Sequence, residues 1–458
     1  MNTSSSRAHE QPESAPASGQ GATTLLQRQP ANGVLRAFSS LRHRNFRLYW
    51  FGELISLMGT WMQRIGQAWL ALQLTHSALQ LGLVGALQLT PVLLFSIFGG
   101  VFADRWPKRR VLLWTQTAAM AQALALWALI SAGVIQMWHL YLLALLLGLT
   151  SSLQGPTLQA FVVEMVGRED LPNAIALRSS AMTLARIVGP SLGGVIIADS
   201  REPALFLLNG LSYLAVIVSL AIMDRSQLRT EDAQARAGAR AGARQTTWQS
   251  LREGIDYVRS SRAISLLLVV VGLALLFGSN FNVILPLFAT DVLHTGAPGL
   301  GALYTASGVG SLIATLWLAW DKRRPTIRQV VAGALVFSVL EACFAVSRLP
   351  LLSLALIAIV GFAEMGFATA AISVIQSVAP HHLRGRVMSV YVLFFDGTVP
   401  LGYMLTGWLA SLLGAPRALL ICALLSLLVA VMGWLRRGPA EHELARQPEP
   451  DTPAAATA

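Results

Sequence analysis

One carboxylate, Asp104, stands among four cations, Arg105, Lys108, Arg109 and Arg110, in the stretch GGVFADRWPKRR at residues 99–110, which closes a long apolar run. A basic anchor needs no acid, and acids at a membrane edge are by default functional. A carboxylate placed there can accept hydrogen bonds from a neighbouring helix N-terminus and pair with arginine, contacts that last only while the parts it bridges are closed together. The chemistry expected of Asp104 is therefore that of a latch. A second set of polar residues lies in the first apolar run, where Glu53, Ser56, Thr60, Gln63, Arg64 and Gln67 advance by three or four and make one stripe on a helix. In lipid such a stripe must face a cavity or another helix. For Gln63, a hydrogen bond between helices and a substrate contact stand as equal alternatives, whereas Arg64, near the middle of its run, is expected to face a water-filled cavity. Further charges within apolar runs are Arg186, Glu341, Glu364 and Asp396. Within apolar runs a carboxylic acid can carry a proton, and Glu53, Glu364 and Asp396 are the candidates, tuned by burial and by Arg64 or Arg186.

These residues need elements to hold them. The chain has 458 residues, 54% hydrophobic and 12% charged, whereas soluble domains carry roughly a quarter charged residues. A polytopic, all-α membrane protein is expected. The net charge of +11 sits mostly in the tails and between apolar runs, where cations meet anionic lipid headgroups, so no nucleic-acid partner is expected. Cys343 and Cys422 fall inside apolar runs without metal or redox spacing. No Walker A loop, His-Glu-x-x-His or Gly-x-Ser-x-Gly motif occurs, so neither a cofactor nor a metal is expected, and an ATP-driven pump would need a separate subunit.

A span needs about 20 mostly apolar residues, and twelve runs meet this: roughly 47–72, 78–103, 111–133, 138–164, 171–198 and 203–223, then 263–290, 299–320, 327–347, 350–378, 386–412 and 416–436. Short loops on one side carry Arg105, Lys108, Arg109, Arg110, Arg168, Lys322, Arg323, Arg324, Arg328, Arg384 and Arg386, against Arg201, Arg348 and Arg417 on the other. That asymmetry places both termini in the cytoplasm. Residues 1–44 and 438–458 read as disordered tails, the first lacking the apolar h-region of a signal peptide. Between the six-span halves, 45–224 and 263–437, lies a linker, 225–262. It is flexible through ARAGARAGAR and then helical, with Trp248, Leu251, Ile255 and Val258 on one face in the pattern of an interfacial helix. EMVGREDL (164–171) aligns with QSVAPHHL (376–383), and one residue of slip brings Gly189 over Gly402 and Gly194 over Gly407, which favours a parallel repeat.

Gly100, Asp104, Arg105, Lys108 and Arg109 together resemble the signature loop between the second and third helices of the major facilitator superfamily, with Pro107 where the family usually has glycine. In the fifth span, ARIVGPSLGG (185–194) resembles the antiporter-type motif Gly-x-x-x-Gly-Pro-x-x-Gly-Gly of the family's exporters. Gly189, Pro190, Gly193 and Gly194 match it, and Ala185 takes the place of the first glycine. Small residues there let helix backbones approach, and the proline bends the helix. The first span, RNFRLYWFGELISLMGTWMQRIGQAWLAL, and the helix before the seventh are similar to the branch holding macrolide and enterobactin exporters. The resemblance, over about residues 40–437, implies a twelve-helix fold whose central cavity is lined by spans 1, 4, 7 and 10. Arg64 and Glu364 would then share the cavity with TSSLQG (150–155) and SNFN (279–282). Drug/proton antiporters of the family often carry an arginine three residues before a Gln-Gly pair in the fourth span; here Gln154 and Gly155 are present and the position is Ser151, so coupling through that arginine is closed.

The resemblance implies a monomeric secondary transporter of a bacterial inner membrane, exporting an amphipathic small molecule such as a drug, macrolide or siderophore-like compound in exchange for protons, by alternating access. Import, or movement of a lysophospholipid, is the alternative on the same fold. An intramembrane enzyme would need a nucleophile facing a base, and no such pair stands out.

Overall fold

Two polar residues side by side, Ser279 and Asn280, interrupt one of the most apolar stretches of the chain, and the helix breaks there. In the computed structural model, which describes residues 38–199, 201–228, 247–321, 325–380 and 382–446, the Asn280 amide donates to the carbonyls of Leu276 and Phe277 at 2.9 Å. The side chain thus competes with the backbone for the acceptors of the last turn. Pro286 removes a further backbone donor, and the helix resumes only to loosen into a π turn over Phe288–Val292.

In chain order the helices are α1 (Arg44–Thr75), α2 (Ala78–Arg105), α3 (Lys108–Ser131), α4 (Met137–Val166), α5 (Leu171–Ala198), α6 (Glu202–Ala221), α7 (Thr247–Ser260), α8 (Arg262–Gly278), α9 (Phe281–Leu287), α10 (Gly296–Trp320), α11 (Ile327–Val346), α12 (Pro350–Val378), α13 (Arg384–Leu413) and α14 (Ala415–Arg446). No strand occurs among the described residues. Eleven stretches are long and apolar enough to cross a membrane, Arg262–Val292 counting as one. The first helix is not among them: it has 32 residues, but Glu53, Arg64 and its other polar residues lower its hydropathy. Outward-facing side chains such as Trp320, Leu351 and Leu435 are 85%, 81% and 75% exposed, a surface that lipid covers and water would not.

The described residues from Ser40 to Arg446 form one unit. Within it α1 packs on α5 and α6, α2 on α4, and α3 on α4 and α6; likewise α10 packs on α12, α11 on α12 and α14, and α8 on α13 and α14. The two groups meet where α5 lies along α10 and α2 along α13, and where the short α9 touches α1 and α2. Glycine permits these approaches. A Cβ on Gly194 would stand 2.9 Å from the Ala297 carbonyl oxygen and 3.0 Å from Gly301 Cα, and one on Gly82 would stand 2.5 Å from the Tyr403 carbonyl oxygen. Gly189 faces α1 instead, where a Cβ would lie 2.7 Å from both the Met58 carbonyl oxygen and Trp61 Cβ. The motif glycines therefore clear two seams, one inside the first group and one between the groups.

The α5–α10 seam is also pinned by Ser191 and Thr305, whose hydroxyls are 2.5 Å apart. Gly194→Val is expected to cost the seam about 1–3 kcal/mol by overpacking. The check is disulfide cross-linking of a Ser191→Cys, Thr305→Cys pair, which should fall when Gly194→Val is combined with it; undiminished cross-linking would mean the seam does not depend on that clearance.

At the ends bearing the termini, side chains tie the helices together. Arg42 and His43 both reach Asp170, at 2.8 and 2.7 Å, and fix the start of α1 to the α4–α5 turn. The carboxylate of Glu443, near the end of α14, accepts from Ser261 Oγ and from the Arg262 backbone N–H, each at 2.9 Å, and so caps α8. In α7, Ile255 and Val258 are half-buried and Glu253 pairs with Arg386 of α13. The side chains of Trp248 and Leu251 lie outside the described residues.

Candidate functional site

The polar stripe of α1 divides between two tasks. Gln63 donates to Gln122 of α3 at 2.9 Å and accepts from Asn209 of α6 at 2.7 Å, so of its two alternatives the structure selects the bond between helices. Glu53 is 7% exposed and is gripped by Arg178 of α5, whose Nε and Nη2 donate to the carboxylate at 3.1–3.3 Å. Arg64 and Gln67 turn the other way. With Ala68, Leu81, Gly85, Gln88, Asn282 and Tyr403 they line a cavity of about 60 Å³ between α1, α2, α9 and α13. This volume holds a few waters and is well below the ~300–1,000 Å³ of a small-molecule pocket. The Gln67 amide nitrogen, buried against it, has no hydrogen-bond partner.

The break between α8 and α9 supplies one wall. Asn282 donates to the Tyr403 hydroxyl and accepts from the Tyr304 hydroxyl at 3.0 Å, linking α9 to α13 and α10. Ser279 donates to Glu364 of α12. Tyr403 lines the same cavity as Arg64. Arg64 and Arg186 also share an aromatic partner, their guanidinium carbons lying 4.5 and 5.8 Å from the centre of the Trp61 ring. Behind Glu364, Glu341 of α11 is fully buried with neither carboxyl oxygen hydrogen-bonded, an arrangement costly for a carboxylate.

The signature loop divides likewise. Lys108 pairs with Glu164 at the end of α4 at 2.8 Å, and Arg109 donates to the Leu220 and Ala221 carbonyls at 2.6 and 3.1 Å, placing a cation on the last turn of α6. Gly100, Asp104 and Arg105 close α2, and their side chains, like that of Asp396 in α13, lie outside the described residues. In TSSLQG, the three hydroxyls of Thr150, Ser151 and Ser152 donate to carbonyls of their own helix.

Several contributors were not singled out in the sequence. Arg178 escapes notice because a cation near a helix start reads as an edge residue, yet it stands seven residues into α5 while Glu53 stands nine into α1. Their similar depth is a usable signal. Tyr304, Tyr403 and Trp61 carry none, since aromatic residues are common in apolar spans.

A bundle of apolar helices enclosing a polar, charge-bearing cavity where two helix groups meet defines a multi-pass membrane transporter. The chain belongs to the transmembrane secretion effector family of the major facilitator superfamily, whose family model matches residues 35–457. It is 23% identical to the staphyloferrin A transporter of Staphylococcus aureus, over 84% of this chain and 94% of that one. It is 28% identical to the multidrug efflux pump Tap of Mycolicibacterium fortuitum, over 87% and 97%, and 24% identical to an enterobactin exporter of Escherichia coli, over 76% and 81%. Among solved structures, the nucleoside transporter NupG superposes with a TM-score of 0.67 at 14% identity, over 86% of this chain and 99% of that one, a likeness of fold alone.

Proposed function

We propose that the protein is a secondary exporter of an amphipathic small molecule, driven by proton antiport, in which two six-helix halves, α1–α6 and α8–α14, rock about a mid-membrane site. In this reading α8 and α9 are one span and α1 is the twelfth, its polar stripe sheltered by neighbours. Both termini and the basic loops lie in the cytoplasm, and the site is Arg64, Gln67, Arg186 and Glu364. The observation that carries the reading is the polar cavity itself: the Arg64 guanidinium, the amides of Gln67, Gln88 and Asn282 and the Tyr403 hydroxyl, drawn from α1, α2, α9 and α13, converge where the two groups touch. The named approaches across that boundary, at Gly82, Gly194, Gly301 and Gly407, fall toward the loops opposite the termini. Closure there, with release of the signature-loop latch at the other end, is one half of an alternating cycle. Efflux by relatives sets the expected direction, and the acids within the spans supply the means of coupling.

The test is substrate movement in liposomes under an imposed pH gradient, across macrolides, siderophores and lysolipids, for the wild type and Asp104→Asn. The wild type should accumulate substrate against its gradient only when the proton gradient has the antiport polarity; the opposite polarity would mean import. Asp104→Asn should insert normally but transport poorly, because the lost charge weakens the closed gate by about 1–3 kcal/mol. Arg110→Gln should be mild, an anchor charge being replaceable. Full transport by Asp104→Asn would reduce the loop to an anchor.

A further inference from the structure

Two guanidiniums share one indole in the interior of this protein, and among the described residues neither has a hydrogen bond or an ion pair. Each carries five N–H donors that water or an acceptor must satisfy. The acids of the spans whose side chains are described are otherwise placed: Glu53 is held by Arg178, Glu364 accepts from Ser279, and Glu341 is enclosed beside Gly278, where a Cβ would come within 2.7 Å of its carboxyl oxygen. A cation over the face of a tryptophan gains only about 0.5–2 kcal/mol, too little to offset two charges held away from bulk water. Trp61 thus orients the two arginines without neutralising them.

Their surroundings are built to hold them in place. Gly189 has no side chain, which lets α1 close on α5 and seats Trp61 against it, so the residue before the motif proline fixes the indole on which Arg186 leans. Arg64 lines the cavity together with Gln67, Asn282 and Tyr403. The Tyr403 hydroxyl, which accepts from Asn282 and keeps its own proton to donate, and the unpartnered Gln67 nitrogen add neutral donors in the cavity that Arg64 lines. A cluster of donors whose two guanidiniums have no acidic partner among the described residues calls for a negatively charged acceptor.

We propose that Arg64 and Arg186, set by Trp61, form a subsite for an oxyanion of the transported molecule, a carboxylate or phenolate, so that the preferred substrates are organic anions. As a transport determinant this rests on the exporter reading above; as a binding site it does not. It turns "amphipathic small molecule" into a statement of charge.

Fluorescein and rhodamine 6G provide the test, because they share a xanthene skeleton and carry opposite charge near pH 8. Their equilibrium binding to the full-length protein in nanodiscs of neutral lipid is read by fluorescence anisotropy. Fluorescein should bind the wild type roughly tenfold or more tightly than rhodamine 6G, and Arg64→Gln and Arg186→Gln should each weaken it by a similar factor, the loss expected for one charge-assisted contact. Rhodamine 6G should bind these variants no more weakly than the wild type. Should either glutamine variant fail to stay monodisperse, Arg64→Lys and Arg186→Lys take its place and should retain the preference for fluorescein, with weaker binding. Fluorescein that fails to bind the wild type, binds it no better than rhodamine 6G, or ignores both arginine substitutions overturns the subsite. Proton-driven transport surviving such a result keeps the exporter reading alone; arginine-dependent fluorescein binding without any proton-driven movement keeps the subsite alone.

Discussion

Glu364→Gln is expected to abolish uphill, pH-driven export while leaving a folded protein that still equilibrates substrate downhill. Glutamine keeps the shape of the side chain, and its carbonyl can accept the bond from Ser279, so the contact across the α8–α9 break survives. What it cannot do is bind and release a proton. Among the other acids considered, Glu53 is held in a bidentate contact by the Arg178 guanidinium, whereas Glu364 is half-buried with the Ser279 hydroxyl as its described hydrogen-bond partner. An arginine stays charged at any physiological pH, so Arg64 and Arg186 can influence a proton site but not be one. Proton release on substrate binding to the purified protein, compared for the wild type, Glu364→Gln, Asp396→Asn and Glu53→Gln, is the measurement. Wild-type release by Glu364→Gln would pass the role to Asp396 or Glu53. Wild-type release by all three variants would exclude antiport through these acids.

The second large effect is structural. Removing either partner of the Glu53–Arg178 pair should destabilise the α1–α5 packing by about 3–5 kcal/mol, because the surviving charge is left in the interior without a counterion. The two side chains are 9% and 21% exposed, so solvent screening offers little relief. Replacing both, as Glu53→Gln with Arg178→Gln, should cost markedly less than either alone, since no bare charge remains. Unfolding in detergent titrated with SDS would measure all three variants. Additive losses in the double variant would mean that the residues act separately and that their contact contributes nothing of its own.

Much of this architecture is legible in the sequence because lipid imposes a simple rule: backbone polar groups must be satisfied within each span, so apolar length reads directly as helix. Eleven of the twelve expected spans meet that rule among the described residues, and the helical spacing from Trp248 to Val258 likewise corresponds to a helix. The rule fails in two informative places. In α1 the residues that give the helix its role, Glu53, Gln63 and Arg64, are those that lower its hydropathy, so function and detectability work against each other. At Ser279–Asn280 the flanking run is so apolar that a break leaves no dip in composition, and only the back-bonding of Asn280 betrays it. The site was readable as a set of charges but not as pairings. Which face of α1 meets which neighbour depends on helix rotation, and the sequence carries that only through glycines such as Gly189, whose partner across the seam cannot be named until the helices are packed.

The interruption at Ser279–Asn280 makes the apolar stretch Arg262–Val292 two rods on a joint. The inner rod, α8, is anchored at its far end by Glu443 and along its length by α14, whereas the outer rod, α9, is held to α1, α2, α10 and α13 by contacts that include the chain of hydroxyl and amide from Tyr304 through Asn282 to Tyr403. In the proposed cycle, parting that chain would free the outer rod while the inner one stays moored, so opening the mouth opposite the termini would begin with a step smaller than the movement of a whole half, like a door whose latch turns before the door does. Cargo or ions that bind near Asn282 would act on this latch directly, at the point where the least material has to move.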